Sequence, residues 1–371
     1  MNEEKLRKLQ ELKKKGIPSY PYRYAVTATS KEILDKYAHI VVAEHTQDIH
    51  SIAGRIVQMR EMGKASFMHL QDSVGKIQVY LRADQLANYD LLKLLDLGDI
   101  IGVEGEVFRT KMGEITINAR TVVLLTKSLG DLPEKYHGLK DIELRYRNRH
   151  LDLIANPEIR ETFRKRAAII STMRKVLDEK GFLEVETPVI QPIYGGGAAK
   201  PFTTFINDLK QNAYLRISDE LYLKRLIVGG IDRVYEISKD FRNESIDRSH
   251  NPEFTMMEAY QAYADLHDMM DLCEEIFEQA CLAVNGTLDV TYGEHKINFK
   301  RPWKRVRMID CIKEHAGIDV TSMDEEALLS FIRTQHIKFD REEKKGYMVA
   351  AIFEHFCEEK LIQPTFIIDH P

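Results

Sequence analysis

The chain has 371 residues, too many for one ordinary hydrophobic core, so two or more domains are expected. Hydrophobic residues make up 44% and charged residues 30%, the balance of a globular protein rather than a disordered or fibrous one, and no run of 18 apolar residues offers a membrane span. The net charge of −5, from 53 Lys and Arg against 58 Asp and Glu, excludes a protein built to coat nucleic acid indiscriminately but permits a local basic surface.

The first residues, Met1-Asn2-Glu3-Glu4-Lys5, lack the apolar centre of a signal peptide and point to the cytoplasm. Residues 2–15 place Leu6, Leu9 and Leu12 three apart on a charged helix, which Gly16 and Pro18 terminate. Net charge over residues 1–15 is +3, and the pattern fits either a helix docked on the next domain or a basic arm for RNA phosphates.

From Ser51 to Lys127 the texture becomes short β-branched runs punctuated by Gly63, Gly75, Gly98, Gly105 and Gly113. Five strands in about 75 residues, with a helix expected at Gln85–Leu97, fit a small closed barrel of the OB type. Residues 128–157, with Gly130, Pro133, Gly138 and Asn156-Pro157, read as a linker. Amphipathic helices over about 158–180 and 261–285 then alternate with strands AYLRI, RVYEISKDF and EFTMMEAY, an α+β pattern without a βαβ rhythm. Cys273, Cys281, Cys311 and Cys357 form no C-x-x-C pair, which argues against disulfides or a cysteine zinc site.

Three segments of the second half could carry chemistry. GFLEVETPVIQP (181–192) reads as a strand suited to an edge or interface, because its prolines cannot serve a sheet interior. DFRNESIDRSHNPEFTMME (240–258) reads as a hairpin in which Arg242 and Glu244, two apart on a strand, share a face, as do Glu258 and Tyr260. It offers a guanidinium for a phosphate oxygen and an aromatic ring for a base, or else is simply a polar, salt-bridged hairpin. The third comprises YGGGAAKPF (194–202), whose glycines admit close backbone approach, and SDELYLKRLIVGG (218–230). There Glu220 opens a helix, either to suit the helix dipole or to bind a ligand ammonium.

Taken in order, these segments resemble a class II lysyl-tRNA synthetase over essentially the whole chain. GFLEVETPVIQP is similar to the family's first motif, which builds the dimer interface, and FRNES…HNPEFT to its second, the ATP-binding hairpin. YRNRHLDLI and EAYQAYADLHDMM are similar to further segments of that family. The resemblance implies a helical extension over 1–50, an OB-fold anticodon-binding domain over 51–127, a linker over 128–157 and a catalytic domain over 158–371. That last part would be an antiparallel sheet flanked by helices, incomplete at its end, with an insertion beginning at about 288.

It implies that Arg60, Phe67, Gln78 and Glu114 grip the anticodon, and that Arg242 holds the α-phosphate and the amino-acid carboxylate at the reacting centre. Glu244 would accept from the adenine amino group, His250 and Asn251 would lie near the polyphosphate, and Phe254 would stack on the purine. Gly196, Glu220, Glu258 and Tyr260 match the lysine pocket. The implied cofactors are ATP and Mg²⁺, and the implied partners are lysine, tRNA(Lys) and a second copy of the chain. The alternatives are an aspartyl- or asparaginyl-type synthetase and a non-catalytic RNA-binding relative.

The chain departs from the family pattern at Asp219 (usually Pro), Ser238 and Ser245 (commonly Gly) and Gly197 (Ala). The third motif and the acidic Mg²⁺ ligands are not found before the end at PTFIIDHP. The expectation is therefore a truncated sequence that does not form lysyl-adenylate by itself.

Overall fold

The computed structural model describes residues 2–132, 139–247, 249–339, 342 and 344–371. Pro133 and Gly138 of the expected linker, and Arg248 of the second motif, lie outside the described residues. The chain divides into two compact units, Met1–Ile159 and Arg160–Pro371.

In the first unit, helices α1 (Glu3–Lys14) and α2 (Ser30–Lys36) precede strands β1 (His45–Met62), β2 (Ala65–Gln71), β3 (Lys76–Arg82), β4 (Ile100–Arg109) and β5 (Ile115–Thr126). The strands close into a barrel in the order β1-β2-β3-β5-β4, so the expected OB-type barrel is present. Strand β1 begins six residues earlier than the texture suggested and serves both neighbours, with a register shift between Ile56 and Gln58 that lets it bend.

Alternation dictates the core. Ile52, Ile56, Met68, Leu70, Val79, Leu81, Val103, Val107 and Ile117 turn inward and pack together. Gly105 is required where β4 crosses β5, since a Cβ there would lie 2.1 Å from the Asn118 carbonyl oxygen. The α-helix expected at Gln85–Leu97 is instead a single 3-10 helix, Tyr89–Leu94. Leu86, Leu91, Leu92, Leu94 and Leu95 are all buried, a run too crowded for one helical face.

Helix α1 docks on this unit rather than standing free. Leu9 and Leu12 are buried, the Lys5 ammonium donates to the Leu97 and Gly130 carbonyls at 3.2 and 2.8 Å, and Lys8 pairs with Asp96 at 2.7 Å. The expected linker contains two short helices, α3 (Ile142–Arg147) and α4 (Arg149–Ala155). Buried Asp152 ties them by accepting from Arg145, Arg149 and Asn156.

The second unit opens with α5 (Ile159–Glu179), followed by the two-residue strands β6 (Leu183–Glu184) and β7 (Ile190–Gln191). The first-motif segment is thus not one strand but two short edge pairings. β6 runs parallel to β10, β7 runs antiparallel to β9, and Pro188 lies between them. Strands β8 (Thr203–Ile206) and β9 (Gln211–Leu215) lead to α6 (Glu220–Val228), β10 (Arg233–Phe241), β11 (Glu253–Gln261) and α7 (Leu266–Asn285). The sheets β11-β10-β6 and β7-β9-β8 are small, and α5 and α7 contribute Val176, Leu177, Leu272 and Ile276 to a core with Phe182 and Tyr235.

The remainder holds β12 (Asp289–Tyr292), β13 (His295–Asn298), β14 (Lys304–Arg307), α8 (Met308–Ala316), α9 (Glu325–Thr334), α10 (Lys345–Phe356) and β15 (Thr365–Ile368). Helices α8–α10 bury a separate cluster that includes Met308, Ile312, Leu328, Ile332, Met348, Ile352, Cys311 and Cys357. All four cysteines are free thiols.

Candidate active site

The β10–β11 hairpin sets the site. Its register is unbroken from Arg233↔Gln261 to Phe241↔Glu253, and the Arg242 N–H donates to the Pro252 carbonyl at 2.9 Å beyond the last pair. Directly opposed residues of an antiparallel pair project from one face. Glu236↔Glu258, Ser238↔Met256 and Asp240↔Phe254 therefore share a surface.

Arg242 and Glu244 are not on a strand, as the two-residue spacing had suggested. The strand ends at Phe241, and both stand in the connecting loop. They nevertheless line one cavity of about 320 Å³ with Ser245, Ser249, His250, Asn251 and Phe254. The Arg242 guanidinium carbon lies 5.2 Å from the centre of the Phe254 ring, a stacked cation–π pair. Its Nη2 donates to the Ile217 carbonyl at 3.5 Å, while its buried Nε has no hydrogen-bond partner among the described residues. One buried N–H of the guanidinium is thus left without an acceptor, a cost that burial of a polar group ordinarily forbids.

Glu244 accepts from the Lys200 N–H at 3.1 Å, which ties the loop to the residues after the glycine triplet. His250 and Asn251 are exposed at the rim. Sequence reasoning missed Asp247, the organiser of this loop. It accepts from the N–H groups of Ser249 and His250 at 2.7 and 2.8 Å, and the His250 ring nitrogen lies 2.8 Å away. The Ser249 N–H, followed by the His250 ring, holds its carboxyl down at about 2. An Asx-type turn signal, Asp followed two and three residues on by amides to bind, was legible there.

The second group of expected residues also converges. Gly196 has φ +84°, and a Cβ on it would sit 2.6 Å from Ser218 Oγ and 2.8 Å from Glu220 Cβ. Ser218 donates to Glu258 Oε1 at 2.6 Å, and the Asp219 N–H reaches the same oxygen at 3.3 Å. Tyr260 donates to Glu258 Oε2 at 2.9 Å, and burial, followed by that carboxylate, raises the phenol above its ordinary range. Glu220 at the start of α6 holds the Lys224 ammonium at 2.7 Å, 5.8 Å from the Tyr260 ring centre. Glu220 and Tyr260 thus already flank one primary ammonium.

Beneath lies a buried ionic group that the motifs did not disclose. Arg216 is 3% exposed and faces Asp219 at 3.1 Å, Glu236 at 2.7 Å and Asp240 at 3.4 Å. Burial pushes Asp219 up to about 7 and Asp240 up to about 6.

On the barrel, Arg60↔Phe67↔Tyr80 and His69↔Gln78↔Thr116 are in register across β1, β2, β3 and β5. Phe67 is not a core residue. It stacks on Tyr80 with ring centres 4.6 Å apart, half-exposed on the outer face, beside exposed Arg60. Gln78 donates to Glu114 at 2.5 Å, and His69 lies 2.8 Å from the same carboxylate. All four expected residues thus stand on one outer face, with stacking surface and hydrogen-bonding edges for unstacked bases.

Comparison with known proteins agrees with both units. Residues 141–371 match the family of class II tRNA synthetases for D, K and N, and residues 50–125 match the OB-fold nucleic acid binding domain. A lysine–tRNA ligase of Carboxydothermus hydrogenoformans is 50% identical over 371 residues, covering 99% of this chain and 75% of the relative. Those of Syntrophomonas wolfei and Methanoculleus marisnigri are 48% and 50% identical, with 99% of this chain and 74% and 73% of each relative covered. No helix among the described residues is long and apolar enough to cross a membrane. With a nucleotide-sized cavity at the second-motif hairpin and a barrel matching the OB family, the chain belongs to the class II lysine–tRNA ligases.

Proposed function

We propose that the chain binds ATP at Arg242, Glu244, His250, Asn251 and Phe254, and binds lysine at Gly196, Glu220, Glu258 and Tyr260. The observation carrying this reading is the pairing of Arg242 with Phe254 at the wall of one cavity beside a pocket rich in carboxylates. In the ligase reaction to which these sites belong, a lysine carboxylate oxygen attacks the α-phosphorus in line, forming the mixed anhydride and expelling pyrophosphate; these 371 residues by themselves are expected to bind both substrates without completing that step. Arg242, the catalytic residue, orients the two anions and spreads the charge that develops. The 3′-terminal ribose hydroxyl of tRNA(Lys) then attacks the lysyl carbonyl carbon and releases AMP, so no enzyme nucleophile is needed. Arg60, Phe67, Gln78 and Glu114 read the anticodon on the barrel.

Magnesium would neutralise the polyphosphate. Among the described residues the one carboxylate trio, Asp219, Asp240 and Glu258, has two members buried and the third already accepting from Ser218, the Asp219 N–H and Tyr260. It does not fit an ion that keeps waters and reaches a polyphosphate. A homodimer in the cytoplasm fits the exposed apolar run of Leu183, Val189, Ile190 and Ile193.

Titration calorimetry of the whole chain tests the reading. ATP binds, Phe254→Ala weakens it about tenfold, as loss of one base–aromatic stack requires, and Arg242→Ala weakens it further. Lysine binds in preference to aspartate and asparagine. Preference for either of those two, or ATP affinity indifferent to both substitutions, overturns it.

A further inference from the structure

The acids beneath the pocket outnumber what their surroundings satisfy. Asp219 and Asp240 are 0% exposed, and Glu236 is 4% exposed. Arg216 is the cation nearest to all three, and its hydrogen bonds go elsewhere than Asp240. Its Nε donates to the Lys239 carbonyl at 2.9 Å and its Nη1 to Glu236 at 2.7 Å and to Thr187. Both oxygens of Asp240, and Oδ1 of Asp219, accept no hydrogen bond among the described residues. A buried carboxylate that has an ion pair with Arg216, at 3.1 and 3.4 Å here, but no hydrogen bond on those oxygens is still costly, and such a cost is tolerated where a ligand removes it.

One oxygen from each of Asp219, Asp240 and Glu258 lies within 4.8 Å of the others. A primary ammonium donating three charge-assisted bonds of about 2.8 Å needs acceptors roughly 4.6 Å apart, from the tetrahedral angle. Glu258 alone has little left to offer, since Ser218, the Asp219 N–H and Tyr260 already occupy three of the four or so acceptor positions of its carboxylate. Glu220 is engaged by Lys224.

We propose that Asp219 and Asp240 join Glu258 in an anionic cup that receives one ammonium group of the amino-acid substrate, which makes them specificity-determining residues of this chain. The inference rests on the lysine-binding reading above and extends it to two residues outside the family's pocket. Asp219, which replaces the proline usual at that position, gains a donor in Ser238, whose hydroxyl lies 2.8 Å from its Oδ2. The cup is faced by Arg216, Glu236, Arg242, Glu258 and Tyr260. Without a cation Asp219 and Asp240 keep their protons to about pH 7 and 6, and an arriving ammonium displaces them.

Calorimetry of the whole chain with lysine, norleucine and 6-aminohexanoate, in buffers of different ionisation heat at pH 6.5, tests this. Asp219→Asn and Asp240→Asn each weaken lysine binding roughly 10- to 100-fold and diminish the proton release that accompanies it in the unsubstituted chain. Whichever of norleucine (no ε-ammonium) or 6-aminohexanoate (no α-ammonium) already binds weakly and is indifferent to the substitutions identifies the ammonium received. Lysine binding that Glu258→Gln weakens but both Asn variants leave intact overturns the cup and spares the lysine pocket. A chain that binds no lysine, with or without Glu258→Gln, overturns both. Manganese binding lost in Asp240→Asn while lysine binding is unchanged assigns the trio to a metal and also overturns the cup.

Discussion

The buried acids predict an inverted dependence of stability on pH in the second unit. Asp219 titrates at about 7 in the fold against an ordinary 3.8. The unfolded chain therefore ionises this group above pH 4 while the folded chain keeps its proton up to about pH 7. Stability falls as pH rises across that interval and levels off above it. One pKa unit is worth about 1.4 kcal/mol, so the full loss for Asp219 is on the order of 4 kcal/mol. Asp240, raised to about 6, acts in the same direction, but the Asp219 shift already contains repulsion from Asp240 and the two do not sum.

Asp219→Asn keeps the shape and a partner for Ser238 and gives up the pairing with Arg216 at 3.1 Å. The net gain at pH 8 should be about 1–2 kcal/mol, shrinking to near zero at pH 5.5. Trp303 is the one tryptophan of the chain, so its fluorescence reports the second unit selectively. With a urea slope of about 2 kcal/mol/M, the midpoint moves up about 0.5–1 M at pH 8 and by much less at pH 5.5. A variant less stable than the parent at pH 8, or a parent whose midpoint does not fall between pH 5.5 and 8, refutes the reasoning.

Two further outcomes follow from the geometry. Gly196→Ala places a methyl 2.6 Å from Ser218 Oγ at a backbone angle that side chains avoid, so Ser218 must leave Glu258. Lysine affinity falls at least tenfold while ATP affinity, measured by the same calorimetry, changes little; equal losses in both would point to general unfolding. Phe67→Ala removes the outer half of the stack on Tyr80 and should weaken binding of an anticodon stem-loop by about 1–3 kcal/mol, read by filter binding at fixed salt. Unchanged affinity would remove Phe67 from the RNA face.

How much of this was visible in the linear chain depends on which period each segment obeys. The barrel strands alternate cleanly, and glycines at 63, 75, 98 and 113 mark all four connections between consecutive strands, so their number could be read off. The leucines of 86–95 broke the method. They satisfy a helical count but face inward all round, and the chain solves that with a 3-10 turn. At the hairpin, the side chains singled out from the sequence do line one cavity, though not through the strand spacing expected of them. Arg242 and Glu244 share a cavity because a loop folds back, whereas Glu258 and Tyr260 share a face because β11 really is a strand. The cup beneath was illegible because an acid alternating along a strand is ordinarily read as pointing to water.

In β10 the polar residues Glu236, Ser238 and Asp240 point inward, and Lys239 between the last two points out. A strand chosen for stability alone would carry apolar residues at those inner positions, and the guanidinium nearest the buried cluster, that of Arg216, has donors already given to Glu236, Thr187 and the Lys239 carbonyl. Such a surplus of negative charge makes the empty site less stable than it could be. The same surplus makes the site selective, because a cation gains from every unsatisfied oxygen while a neutral isostere of equal length gains from none. Lysine differs from norleucine by that charge, so the energy held back from folding at Asp219 and Asp240 is available where the two amino acids must be told apart.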